Sequence, residues 1–447
     1  MLVSDQPETS DIAAALKLVG VPFGSKSSDS FVQSTAIFNG DIQTPALFVV
    51  FPRSEEELAK VVDLARERNL GLSLKAGGHG VAGRSVMGQI VVDLRNFDKI
   101  LFDEKSKSIT VGAGVRWAEL DRACEELGVV VPGGAVSSTG VAGLTLGGGI
   151  GWLLPSMGLT CDHLVSARLV DGLGRTFEVN DRNFPSEMKV IRGCGHGLAA
   201  FTQMKFECRS APDFLSAGSV IFNIDVAPAA INKLLMASAE CPTKINFSPA
   251  ILWREGTPLL SVDGVSFDRN LSFSDFVESV VAEKAIRSTV HQRKYSDLQS
   301  MLDEPGRWGQ NTVWRSWFSK AFLSLTQVEE LVEGFLKSDP NSSSMVLIER
   351  ITGAARQERR PSSYPFRQAV NNVLVIGTWD RASDKNQVSG WASQLVENLG
   401  PGMNGTYVNY SSRDEVVTCE VEQRTHSNVV QALDPEGTFS VSRPNFF

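Results

Sequence analysis

Residues 132–153 read PGGAVSSTGVAGLTLGGGIGWL. Glycine at this density means that the backbone adopts positive φ or lets something approach it closely. A second, shorter cluster, Gly77-Gly78-His79-Gly80, ends the strand-like run LSLKA at residues 72–76. Upstream of it, ALFVVF at residues 46–51 is a short apolar run suited to a buried strand. Ser54-x-x-Glu57 is a capping box, and Leu58, Val61, Val62 and Ala65 fall at helical spacing, so a helix runs to about Arg68. With a strand at residues 90–94 this is β-α-β closed by a glycine turn. A second unit has a strand at 108–114 and a helix at 118–127. After the long glycine stretch come strands at 164–170 and 175–179. Within that stretch, residues 141–154 hold too many glycines for a stable helix. Beyond about residue 211 the pattern changes to helices (227–239, 274–285, 326–337, 387–399) alternating with strands (258–267, 344–351, 372–379). That is a second, α+β domain.

Composition narrows the function. The net charge is −8 and no basic stripe exists to meet a phosphate backbone, which argues against nucleic acid as a partner. No run of about 18 apolar residues is present, so no membrane span is expected. MLVSDQPETS at the start lacks the basic and apolar regions of an export signal, so a cytoplasmic protein is expected. On that reading the six cysteines, at 124, 161, 194, 208, 241 and 419, are free thiols. No metal site is expected, since Cys194-x-His196 has no further ligands.

Glycine clusters at strand ends present backbone N–H groups to phosphate oxygens, which makes a dinucleotide the first candidate ligand. Gly195-His-Gly197-Leu-Ala-Ala200 fits the Rossmann string, but residues 202–208 alternate like a strand where that motif needs a helix. No Gly-Lys-Ser/Thr closes a P-loop. The ordered set Lys75-Ala-Gly-Gly-His79, Val91-Val-Asp-Leu94, Val111-Gly-Ala-Gly114, Gly140 to Gly151 and Gly158-Leu-Thr-Cys-Asp162 is instead similar to the FAD-linked oxidases of the berberine bridge enzyme type. Tyr407-Val-Asn-Tyr410 and the closing Asp434-Pro435 with Phe439 and Asn445 resemble that family's C-terminal segment.

The resemblance implies an α+β fold: a two-subdomain PCMH-type FAD-binding domain at 1–210 and an α+β substrate domain with an antiparallel sheet at 211–405. A C-terminal segment at 406–447 returns to the FAD domain. It implies FAD as cofactor, held by Lys75, Ala76, Gly77, Gly78, His79 and Gly80, and by Ser138, Thr139, Gly140, Gly143, Leu144, Gly147, Gly148, Gly149 and Gly151. Asn409 is a further flavin or substrate contact. His79 occupies the position of the family's covalent anchor. The family's second anchor, a cysteine, has no counterpart in Val136-Ser137-Ser138, so no cysteinyl link is expected. The segment Arg192-Gly-Cys-Gly-His196 also departs from the family's run of glycines. Two candidates stand for the catalytic base. Tyr407 would need a lowered pKa. Glu349, which alternation puts on one face with Leu347 and Ile351, acts as a base or pairs with a neighbour such as Arg367. Trp314, Trp317 and Trp379 are candidate pocket residues. The implied activity is oxidation of a small natural-product intermediate, with hydride passing to the flavin and O2 as the second substrate. The alternative is a non-redox cyclase on the same fold.

Overall fold

In the computed structural model, residues 9–241, 243–303 and 308–446 are described. The polar start that argues against an export signal lies largely in residues 1–8, outside them.

The β-α-β reading holds. Phe48–Val50, Ile90–Asp93 and Leu72–Lys75 form a parallel sheet with Phe23–Ser25 added antiparallel at its edge. The helix Glu55–Glu67 starts at Ser54, whose side chain accepts from Glu57 N, and it buries Leu58, Val61, Val62 and Ala65 as their spacing demands. A second, antiparallel sheet runs Ile100–Asp103, Ser108–Gly112, Ala200–Glu207, Leu164–Val170, Thr176–Asn180. The strand Ala200–Glu207 directly follows Gly195–Gly197, so the Rossmann reading fails for the reason its alternation suggested.

One expectation is corrected. Val141–Gly147 is helical despite its glycines. Propensity loses here to packing: Val141, Ala142, Thr145 and Leu146 are buried, and a seven-residue helix is held by its tertiary contacts.

The second domain is a large antiparallel sheet that runs Ser216–Asn223, Thr257–Ser266, Ile245–Arg254, Met345–Arg350, Asn371–Trp379 and, at its edge, Asn311–Ser319. Helices Ala227–Ala237, Phe273–Val281, Leu325–Phe335 and Lys385–Asn398 cover one face, and their core takes Val346 and Ile348. The other face turns toward the glycine stretch. There the Asn246 amide donates to the carbonyls of Gly151 (3.2 Å) and Trp152 (3.0 Å).

The C-terminal segment packs on the first domain. Leu72 N donates to Thr438 O at 2.8 Å, and Arg443 binds both Gly197 O and Asp434. This return also overturns the expectation of six free thiols. Cys194 and Cys419 form a disulfide, while Cys124, Cys161, Cys208 and Cys241 are free. The partners are 225 residues apart, so no local spacing could announce them.

Candidate active site

The two glycine loops meet backbone to backbone. A Cβ on Gly77 would lie 2.2 Å from Gly140 N, which leaves no side chain possible at the crossing. Gly149 has φ +92°, and a Cβ there would lie 2.2 Å from Thr160 Oγ1. By contrast, nothing stands within 4 Å of a Cβ on Gly80 or Gly143, so both loops present open backbone on one side.

Polar groups short of partners gather beside that opening. The buried Ser85 Oγ and His196 Nδ1 have no hydrogen bond. His196 faces Gly143 and the Arg84 guanidinium, and burial pulls its imidazole down to about 4, keeping it neutral. Arg84 is pulled down to about 10 by burial, and its guanidinium donates to Ser411 Oγ at 3.1 Å. A half-buried cation and orphaned donors around an open glycine cradle fit an anionic diphosphate. Lys75, in contrast, is spent on protein: it donates to Gln33 O (3.2 Å) and Ala36 O (3.0 Å).

His79 stands where the two loops converge. Its Nε2 lies 2.9 Å from Ser138 Oγ. Burial and the nearby Arg116 charge hold it down to about 4, so the ring is a neutral imidazole with nucleophilic character at pH 7. A row of rings leads away from it. His79 stacks on Phe38 at 5.4 Å, Phe38 meets Trp314 edge-on at 5.9 Å, and Trp314 meets Tyr410 at 5.6 Å. The row ends on Glu349, which accepts from Tyr410 Oη at 2.7 Å and from Asn372 Nδ2 at 2.8 Å. Leu347 and Glu349 line one cavity with Ile150 and Gly151 of the glycine stretch. Trp317 and Trp379 belong to the helix-covered core instead.

One sequence expectation changes at this point. Arg367 does not reach Glu349: its guanidinium forks onto Asp162, with Nη1–Oδ2 at 3.2 Å. Tyr410 N donates to Tyr407 O at 2.9 Å, so the Tyr407-Val-Asn-Tyr410 string is a turn that sets the two tyrosine rings edge-to-face at 4.9 Å. Within it, Tyr407 Oη accepts from Gly149 N and from Asn409 Nδ2, each at 2.9 Å, and Asn409 Nδ2 also donates to Leu144 O at 3.1 Å. Both side chains clamp the glycine loop. Burial pushes the Tyr407 phenol up, the opposite of what a base in its own right needs. Burial likewise raises Glu349 above the ordinary carboxylate range and Tyr410 above the ordinary phenol range. Tyr410, Phe38, Arg84 and Asp303 were not singled out from the sequence. Only Tyr410, inside the quoted string, carried a signal there.

Residues 46–180, which carry both glycine loops, match the family model for the FAD binding domain. The chain carries an FAD binding domain at these residues and is similar to FAD-linked oxidoreductases over most of its length. Its similarity to curated relatives runs almost end to end. An FAD-linked oxidoreductase of Dictyostelium discoideum is 25% identical over 408 residues, covering 90% of this chain and 88% of that protein. One of Pyricularia oryzae is 25% identical, covering 84% of this chain and 79% of that protein. The fold is that of the berberine-bridge-enzyme-like protein 1 of Physcomitrella patens (TM-score 0.85, 17% identity, 97% and 99% of the two chains). It is also that of 6-hydroxy-D-nicotine oxidase from Arthrobacter nicotinovorans (TM-score 0.81, 22% identity, 94% and 96%). The glucooligosaccharide oxidase of Acremonium strictum, whose FAD is described as 6-S-cysteinyl and 8α-N1-histidyl, shares it too (TM-score 0.83, 18% identity, 97% and 99%). Among the described residues no helix is long and apolar enough to cross a membrane, and no group of three or more His, Cys, Asp or Glu could hold a metal.

Proposed function

We propose that the protein oxidises a small natural-product intermediate, with FAD attached through His79 and with O2 as the electron acceptor. The observation that supports this reading is the half-buried Glu349–Tyr410 pair, whose Glu349 lines one cavity with Ile150 and Gly151 of the glycine stretch.

The backbone amides of residues 77–80 and 140–151 would hold the diphosphate, with Arg84 as its countercharge and His196 beside it. Bound FAD supplies the hydride acceptor at flavin N5. The chain supplies the base. Asn372 fixes one oxygen of Glu349, and the other takes the Tyr410 proton. As a substrate O–H or N–H gives its proton to Tyr410 Oη, the phenol proton passes to Glu349 Oε1. A carboxylate with a raised pKa is a stronger base than an exposed one, and a phenol held neutral stays available as the relay. Tyr407 and Asn409 keep the glycine loop in place rather than moving protons. Ile150, Trp152, Leu154 and Leu347 make the cavity walls largely apolar, with Asn246 and Glu349 among its polar groups. Such a site suits a flat metabolite with one oxidisable C–H next to nitrogen or oxygen.

Non-redox cyclisation draws on the departures at 192–200. Here that segment is built into the domain. Arg192 is wholly buried on Asp181 and Leu164 O, and Cys194 is in the disulfide. It therefore gives the cyclase no separate support.

The test needs no substrate. The purified holoprotein is reduced photochemically without air, then mixed with aerated buffer. An oxidase returns rapidly to the yellow form with peroxide equimolar to flavin. Reoxidation that takes many minutes, or yields no peroxide, contradicts the reading.

A further inference from the structure

Asp303 lies just past the helix Tyr295–Gln299, on the substrate-domain part of the chain. Its carboxylate accepts from the Ser137 backbone N–H at 2.8 Å and from the Ser137 hydroxyl at 2.6 Å. The next residue, Ser138, sets its hydroxyl 2.9 Å from His79 Nε2. His79 Nδ1 makes no hydrogen bond among the described residues. A second contact docks the same region, since Gly133 N donates to Tyr295 Oη at 3.1 Å.

We infer that Asp303, Ser137 and Ser138 form a positioning relay that fixes the tautomer of His79 and so directs flavin attachment to Nδ1. This rests on the reading of His79 as the anchor. A two-point grip from Asp303 holds the Ser137–Ser138 backbone in place, so the Ser138 hydroxyl can accept the Nε2–H. The proton then sits on Nε2 and the lone pair on Nδ1. Fixing one ring nitrogen to aim the other is the general way an imidazole's orientation is set. Attachment joins Nδ1 to the 8α carbon as one methyl C–H bond breaks, and the Nε2 proton leaves along the Ser138 hydroxyl. Two electrons enter the flavin ring system and pass to O2, so the two lost hydrogens appear as H2O2. Because Asp303 comes from the other domain, attachment depends on the two domains being docked. The relay also gives Ser138 a task that needs a hydroxyl and not a thiol, in a stretch that has no cysteine.

The test follows covalent flavin with time by fluorescence of denatured protein on a gel. Protein made under riboflavin limitation is offered FAD in air, and total bound FAD is measured in parallel. Ser138→Ala and Asp303→Asn slow attachment on the order of tenfold or more, the size of effect seen when a metal-ligating histidine loses its orienting partner. The rate is taken per bound FAD, so that any loss of binding is separated from slow attachment, and Ser138→Thr restores it. Ser137→Ala, which removes only one arm of the grip, gives a smaller slowing and serves if Asp303→Asn does not fold. Wild-type attachment rates in Ser138→Ala and Ser137→Ala overturn the relay while His79→Ala still abolishes the label. A label that survives His79→Ala, or a wild type that never acquires one, overturns the anchor itself.

Discussion

The glycine loops and the sheet that faces them solve opposite problems. The loops bring backbone to backbone, as at Gly77 and Gly140, and any side chain there would collide. Their function is therefore written as residue type at fixed spacing. The facing sheet works through side chains drawn from distant parts of the chain: Glu349, Asn372 and Tyr410 meet only after folding. A backbone cradle tolerates few sequences and leaves a mark; a side-chain cluster assembled from distant positions, to which we assign the proton handling, leaves almost none.

The sharpest way to break that division is Glu349→Gln. It should lower the rate of substrate-dependent flavin bleaching by roughly 10²–10⁴-fold, the contribution typical of a positioned base, and leave flavin content unchanged. A loss of flavin with little change in rate per flavin would move Glu349 to the cofactor's side.

Arg367→Met probes the seam between the regions. Asp162 is wholly buried in the first domain, and Arg367 supplies its charge from the second. Leaving that carboxylate unpaired should cost about 3–5 kcal/mol in urea denaturation. A cost below about 1 kcal/mol would mean that water reaches the pair.

Acid should act through the first region. His196 and His426 are both pulled down to about 4 by burial, from an unfolded value near 6.5. Between those values the unfolded chain binds more protons than the folded one, so stability falls as pH drops from about 6.5 to about 4. Each contributes on the order of 3 kcal/mol at most. Melting temperatures across that window should decline steeply, and His196→Asn should flatten the decline. An unchanged slope would show that His196 titrates freely in the folded state.

Tyr407→Phe should have the smallest effect. Gly149 N loses its acceptor at about 1–2 kcal/mol, and FAD binds more weakly, while the rate per bound flavin holds. A large loss of that rate would return Tyr407 to the role of base.

Sequence legibility followed the same division. The β-α-β unit and the glycine crossing could be read because the backbone imposes them. Alternation also placed Glu349 correctly on the face with Leu347. What failed was pairing at a distance. Arg367 was matched to Glu349 because both are charged, yet Asp162 takes it. Cys194 and Cys419 had no spacing to read. The turn at Tyr407-Val-Asn-Tyr410 left no mark in the sequence, yet it sends one hydroxyl to Gly149 and the other to Glu349. Asp303 was invisible because its partner, Ser137, lies 166 residues away.

The most direct measurement is the absorption spectrum of the purified protein before and after acid precipitation. A yellow pellet that turns white in His79→Ala, with the colour then in the supernatant, is the predicted result. A protein that stays colourless after FAD is offered in excess would contradict it.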